Sequence, residues 1–153
     1  MIARARQRRY TVDTNLYIDA LRTDEGRTAL SAFHAAYAPL EHLSAVVAQE
    51  LRAGVRGAAA EKLEDAIFAP FERRARLIAP TYDAWKEAGR VLAELIPPNG
   101  WSTVSRSFVN DVLLAMSCRE SGMVLVTKNL VDCARIAAIR SFDFVPPWPM
   151  PAA

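Results

Sequence analysis

The chain has few of the residues on which most enzyme chemistries depend. Only two cysteines and two histidines stand among its 153 residues. Cys118 and Cys133 fall in apolar or helical contexts without ligand spacing, so they read as two reduced, packed thiols rather than a disulfide or a zinc site. His34 lies in an Ala-rich helical stretch and His42 beside an expected strand. They are not spaced as a metal pair, and both read as structural. Six glycines make no Gly-rich phosphate loop, and neither a nucleophile elbow nor a Ser/His/Asp arrangement is present. No apolar run approaches the roughly 20 residues needed to span a bilayer. Thr11–Asn15 interrupts any apolar core behind the basic start, which argues against a secretory signal. The expectation is a cytoplasmic protein with no membrane contact.

What is present suits one domain with a substantial core. The hydrophobic fraction is 52% and the charged fraction 24%, ordinary values for a globular chain. The net charge of +2 conceals an asymmetry. Arg4, Arg6, Arg8 and Arg9 crowd the start; without these four, the 19 basic residues fall to 15, against 17 acidic ones. The body is therefore not a basic nucleic-acid binder, whereas residues 1–9 form a basic N-terminal arm suited to phosphates if it is used at all. Residues 10–145 read as the folded domain and 146–153 as a proline-rich C-terminal tail.

Hydrophobic periodicity and breaker residues divide that domain into short strands and helices. Tyr10–Val12 reads as a buried strand, followed by a short helix or turn over Asn15–Leu21. A helix runs from Thr23-Asp24-Glu25-Gly26 to about Tyr37, and Pro39 ends it. Leu40–Leu43 is a strand. Ser44 caps a helix over Ala45–Ala53. Ala58–Arg76 reads as a helix kinked near Pro70, and Leu77–Pro80 as a strand. Thr81–Leu95 reads as a helix with Tyr82, Trp85, Ala88, Val91, Leu92 and Leu95 toward the core. A helix beginning near Ser105 or Ser107 carries an apolar run, Val112–Met116, that implies burial on several sides. Met123–Val126 is a buried strand, Leu130–Arg140 a helix and Phe142–Val145 a last strand. Strands alternating with helices imply an α/β fold, a short, mostly parallel sheet of about four to five strands with helices on both faces. Parallel crossovers deliver the carboxyl ends of the strands to one edge, where such sheets bind ligands.

Four acids occupy unusual places in that scheme. Asp13 ends the first strand. Glu50 projects from the apolar face of its helix, alongside Val46, Val47 and Leu51. Asp111 opens the most hydrophobic helix, and Asp132 lies in the first turn of the helix after Met123–Val126. Singly, each has a plain structural explanation: Asp13 as a helix cap, Asp111 and Asp132 as charges at helix N-termini, Glu50 as a partner of Arg52 or Arg56. Together they need compensation, because an isolated buried carboxylate is costly. A shared hard cation, Mg²⁺ or Mn²⁺, supplies it without His or Cys. Such an ion can activate water and stabilise an in-line displacement at phosphorus, so the set points to phosphodiester hydrolysis.

These residues carry a family resemblance. Val12-Asp13-Thr14-Asn15 with Leu16-Tyr17-Ile18 resembles the opening motif of PIN-domain ribonucleases. Leu43–Leu51, with Glu50 as its acid, resembles their second motif, Asn110–Ala115 the third and Val126–Asp132 the fourth. Order, spacing and context fit over about Tyr10 to Val145, most nearly the VapC-type toxins of bacterial toxin–antitoxin modules. The resemblance implies a single PIN-like domain and a Mg²⁺- or Mn²⁺-dependent endoribonuclease acting on tRNA or rRNA. It also implies a homodimer and silencing by a cognate antitoxin. Asp13 and Asp111 would be the primary metal ligands, Glu50 and Asp132 would complete the catalytic acidic set, and Asn15, Ser44 and Thr127 would orient it. One departure is Asn129, where the family can carry an acid; either Asn129 or Asp132, three residues later, would line the site. Two other functions remain open at this stage: a catalytically silent PIN-like RNA-binding or protein-interaction module, and a structure-specific DNA nuclease.

Overall fold

A computed structural model describes residues 7–150. Arg4 and Arg6 of the basic arm, and residues 151–153 of the tail, lie outside the described residues. Five strands are present, β1 (Arg9–Val12), β2 (Leu43–Ser44), β3 (Leu77–Ile78), β4 (Met123–Val126) and β5 (Asp143–Val145). All their pairings are parallel: β4 lies between β1 and β5, while β2 pairs with β3. A parallel bridge between Tyr10 and Glu41 links the two ladders through Tyr10 N–H to Leu40 O and His42 N–H to Tyr10 O, both 2.9 Å. The spatial order is thus β3-β2-β1-β4-β5. The chain leaves β1 for β2 on one side and returns as β4 on the other, so the carboxyl end of β1 is a topological switch point. The expected strand at Leu40–Leu43 lies later, at Leu43–Ser44; of its first residues only Glu41 contributes, by the single bridge.

Helices α1 (Thr14–Arg22), α2 (Asp24–Tyr37), α3 (Ala45–Gly54), α4 (Ala58–Lys62), α5 (Ala69–Arg73), α6 (Tyr82–Leu95), α7 (Arg106–Ser121) and α8 (Leu130–Ile139) surround the sheet. β4 is buried along its whole length, and on α7 every residue from Val112 to Cys118 is buried. α7 is the central helix of the fold: it packs on β4, α3, α6 and α8. Gly122, with φ of 67°, ends it in a left-handed cap that a side chain would strain.

One helical expectation is sharpened and one needs correction. The helix over Ala58–Arg76 is interrupted near Pro70, as expected: Leu63–Phe68 just before it is a π-helical turn, and Ala69 N–H reaches back to Glu64 O. That wide turn precedes a proline that donates no hydrogen bond and crowds the preceding turn. On α6, Tyr82 and Trp85 are not core residues; they are 77% and 58% exposed. The buried face is Ala84, Ala88, Val91 and Leu92, because small residues let α6 lie close against α7.

The two ends of the described chain are tied down. Arg9 opens β1 and donates to Ser121 O at 2.6 Å, and Arg8 faces Asp143 at 3.8 Å. Trp148, in the proline-rich segment, packs on Phe33 at 5.3 Å between ring centroids. His34 Nδ1 and Glu41 Oε2 are in hydrogen-bond contact at 2.5 Å, with Glu41 only 1% exposed. His42 contacts Leu40 O through Nδ1 at 3.4 Å. Cys118 and Cys133 are free and buried, and burial pushes both thiols up, Cys133 to about 12.

Candidate functional site

Asp13 leaves β1 at the switch point and takes two roles at once. Its Oδ1 accepts from Thr14 N–H at 2.8 Å, capping α1. Its Oδ2 accepts from the Thr127 hydroxyl at 2.6 Å, just past the end of β4. The backbone holds the same junction: Asp13 N–H donates to Val126 O at 3.0 Å, and Thr127 N–H to Val145 O at 3.1 Å. The Thr127 hydroxyl in turn accepts from Asn129 N–H at 3.0 Å. Asp13 is 5% exposed. Burial raises its pKa, and the hydrogen bonds from Thr127 and Thr14 work against that rise.

Glu50 is half-buried on α3 and meets α1 through the Thr14 hydroxyl, which donates to Oε1 at 3.0 Å. Its carboxyl is also pushed up by burial, with Thr14 and Asn110 opposing the shift and Asp13 adding to it. The alternative partner Arg52 is engaged elsewhere, gripping Glu64 at 2.6 Å and Glu72 at 3.1 Å. Asp111 does not open α7 as expected. It sits in the second turn, beyond the range over which a helix N-terminus stabilises an acid. Burial, then Asp13, Glu50 and Asp132 in turn, drive its pKa up to about 7.

Asn129 and Asp132 both line the site. The Asn129 amide donates to Asp111 Oδ2 and to Asp132 Oδ2, each at 3.2 Å. It thereby bridges two carboxylates that would otherwise repel. Asp132 also pairs with Arg135 at 3.3 Å. Asn15 stands 3.5 Å from Asp13 Oδ2, and its own Oδ1 is buried without a partner. Ser44 caps α3 as the sequence predicts, its hydroxyl accepting from Val46 N–H at 3.2 Å.

The four acids thus gather at the carboxyl ends of β1 and β4. Among the described residues, no three Asp, Glu, His or Cys side chains stand ready-made as a metal-binding group. The carboxylates are instead engaged by Thr14, Thr127, Asn129 and Arg135. Of these, Thr14 and Arg135, together with Asn110, are site residues that sequence reasoning missed. Thr14 and Asn110 each adjoin a singled-out acid, and Arg135 follows Asp132 by three helical positions. Those local spacings are the signal that was available.

Comparisons with known proteins give structural neighbours only. No family model matches the chain, and no curated protein does. A chain of the DNA-bound VapBC complex from Salmonella typhimurium aligns at TM-score 0.65 and 20% identity, covering 92% of this chain and 98% of that one. A chain of FitAB bound to an IR36 DNA fragment aligns at 0.64 and 16%, covering 94% and 98%. A chain of VapBC2 from Rickettsia felis, bound to a promoter DNA fragment, aligns at 0.57 and 20%, covering 92% and 98%. At these identities the likeness establishes the fold.

Proposed function

We propose that the chain is a metal-dependent endoribonuclease, the toxin of a type II toxin–antitoxin pair, silenced by a cognate antitoxin. The observation that carries the proposal is the convergence of acids on Asp111, whose carboxyl is held near neutrality by burial and by three other acids. Charge of one sign concentrated in a partly buried pocket favours a bound cation. The donors are all carboxylates and amides, which suits Mg²⁺ or Mn²⁺. Asp13 and Asp111 would hold the ion most directly, with Glu50 and Asp132 beside them. Bound there, the ion would supply the positive charge that activates water and steadies the phosphate undergoing displacement.

The chain's own residues prepare that site. Thr127 and Thr14 fix both oxygens of Asp13, leaving a carboxylate of set orientation. Asn129 keeps Asp111 and Asp132 side by side and Thr14 points Glu50 inward. The antitoxin partner is supported by the neighbours, which are chains of FitAB and VapBC complexes, taken with the motif resemblance to VapC-type toxins. The RNA substrate and a homodimeric state follow from the motif resemblance.

Side-by-side cleavage assays with RNA and DNA test the reaction. RNA is cut with Mg²⁺ and left intact with EDTA; DNA cut in preference to RNA would transfer the reading to a DNA nuclease. A silent binding module is the second reading, favoured by the lack of a ready-made three-ligand group among the described residues. Calorimetry with Mn²⁺ separates the two, since a module shows no binding at millimolar metal.

A further inference from the structure

A cleft of about 680 Å³ opens directly beside the acids, lined by Gln49, Glu50, Trp101, Arg106, Ser107 and Asn110 among others. Glu50 and Asn110 belong to both, so an occupant of the cleft lies next to the carboxylates. Its outer wall is Trp101, an indole left 62% exposed. A large aromatic so exposed contributes little to the fold, and its loop is built to hold it there. Gly100 N–H donates to Pro97 O at 2.8 Å, and the Thr103 hydroxyl and N–H close on Gly100 O at 2.8 and 3.1 Å. A Cβ on Gly100 would stand 2.9 Å from Pro97 O, so only glycine allows this tight approach.

Arg106, in the first turn of α7, supplies the cleft's positive charge. It enters no ion pair or side-chain hydrogen bond among the described residues. A strand of nucleic acid approaching four carboxylates needs such a cation at the approach. The volume suits a single nucleotide. An exposed indole offers a face for an unpaired base, and a guanidinium binds phosphate in bidentate fashion. Gln49, Ser107 and Asn110 add donors and acceptors along the wall.

We propose that Trp101 and Arg106 form a subsite for one unpaired nucleotide of the RNA beside the scissile phosphate. Trp101 stacks on the base and Arg106 binds a phosphate. The subsite rests on the ribonuclease reading above. The test is binding of a fluorescein-labelled single-stranded RNA oligonucleotide, followed by anisotropy with Ca²⁺ present, alongside cleavage with Mg²⁺. Trp101→Ala weakens binding about ten- to a hundredfold, while Trp101→Phe stays within about threefold because a stacking face remains. Arg106→Ala weakens binding and lowers the salt-dependence slope by about one. Trp85→Ala, the loss of an exposed indole on α6, changes nothing. Binding by Trp101→Ala equal to wild type, or no RNA binding by wild type, overturns the subsite. The two failures are distinguishable: RNA bound through Trp101 but never cut retains the subsite and removes the nuclease. Cleavage indifferent to Trp101→Ala does the reverse.

Discussion

Asp111 shows at the scale of one residue why a site of this kind is legible and yet unstable on its own. Its pKa is raised to about 7 by burial and by three like charges. The folded chain therefore holds this proton more tightly than the unfolded chain. The associated stability is fully present below the ordinary aspartate range and is lost as pH rises through about 7. At pH 8 in EDTA, Asp111→Asn is expected to stabilise the protein by about 1–2 kcal/mol, after allowance for partial exposure. The gain shrinks on acidification to pH 5, and thermal melts at the two pH values measure it. Asp13 was readable from sequence because a strand ended on it; the cap reading holds, and the same carboxylate also accepts the Thr127 hydroxyl. Thr127 was singled out only by the motif resemblance, and its hydroxyl donates to Asp13 Oδ2. Thr14 and Arg135 were not, since a threonine after an acid or an arginine three positions along a helix has many ordinary uses.

Elements were legible where local signals and tertiary packing agreed. β4, α7 with its Ser105 cap and Gly122 stop, and α3 with its Ser44 cap all lie where periodicity and capping residues put them. α6 was misjudged because an apolar stripe does not say which of its edges meets the core. Tyr82 and Trp85 lie on the solvent edge. Trp85→Ala should change stability by no more than about 0.5 kcal/mol. Leu92→Ala, on the buried face, should cost about 2–5 kcal/mol. Chemical denaturation of the two variants checks the assignment. The π turn at Leu63–Phe68 had no sequence signal beyond Pro70, because proline marks a break without saying on which side the helix widens. α2 carries the other polar commitment of the core, His34 against buried Glu41. His34→Ala leaves that acid without its partner and should cost about 1.5–3 kcal/mol.

Across the whole molecule, the site exists only when distant segments meet. Asp13 and Thr127 are 114 positions apart in sequence, Thr14 and Glu50 are 36 apart. The parallel order β3-β2-β1-β4-β5 brings them to one edge; alternating elements and right-handed crossovers made the parallel sheet and its shared edge inferable, but not the order of its strands. Because Asp13 lies at the β1–α1 junction and the other carboxylates on α3, α7 and α8, a bound cation ties these segments together. Mn²⁺ at a hundred times its Kd should stabilise the fold by about 2.7 kcal/mol, roughly 5–10 °C in Tm for a chain of this size. Asp13→Asn should lose most of that increment. The same substitution gives the most direct test of the proposed function: RNA cleavage by wild type and Asp13→Asn, both shown to be folded, with Mg²⁺ present. Wild type should cut and Asp13→Asn should leave the RNA intact; equal cleavage by the two would contradict an acid-centred nuclease site.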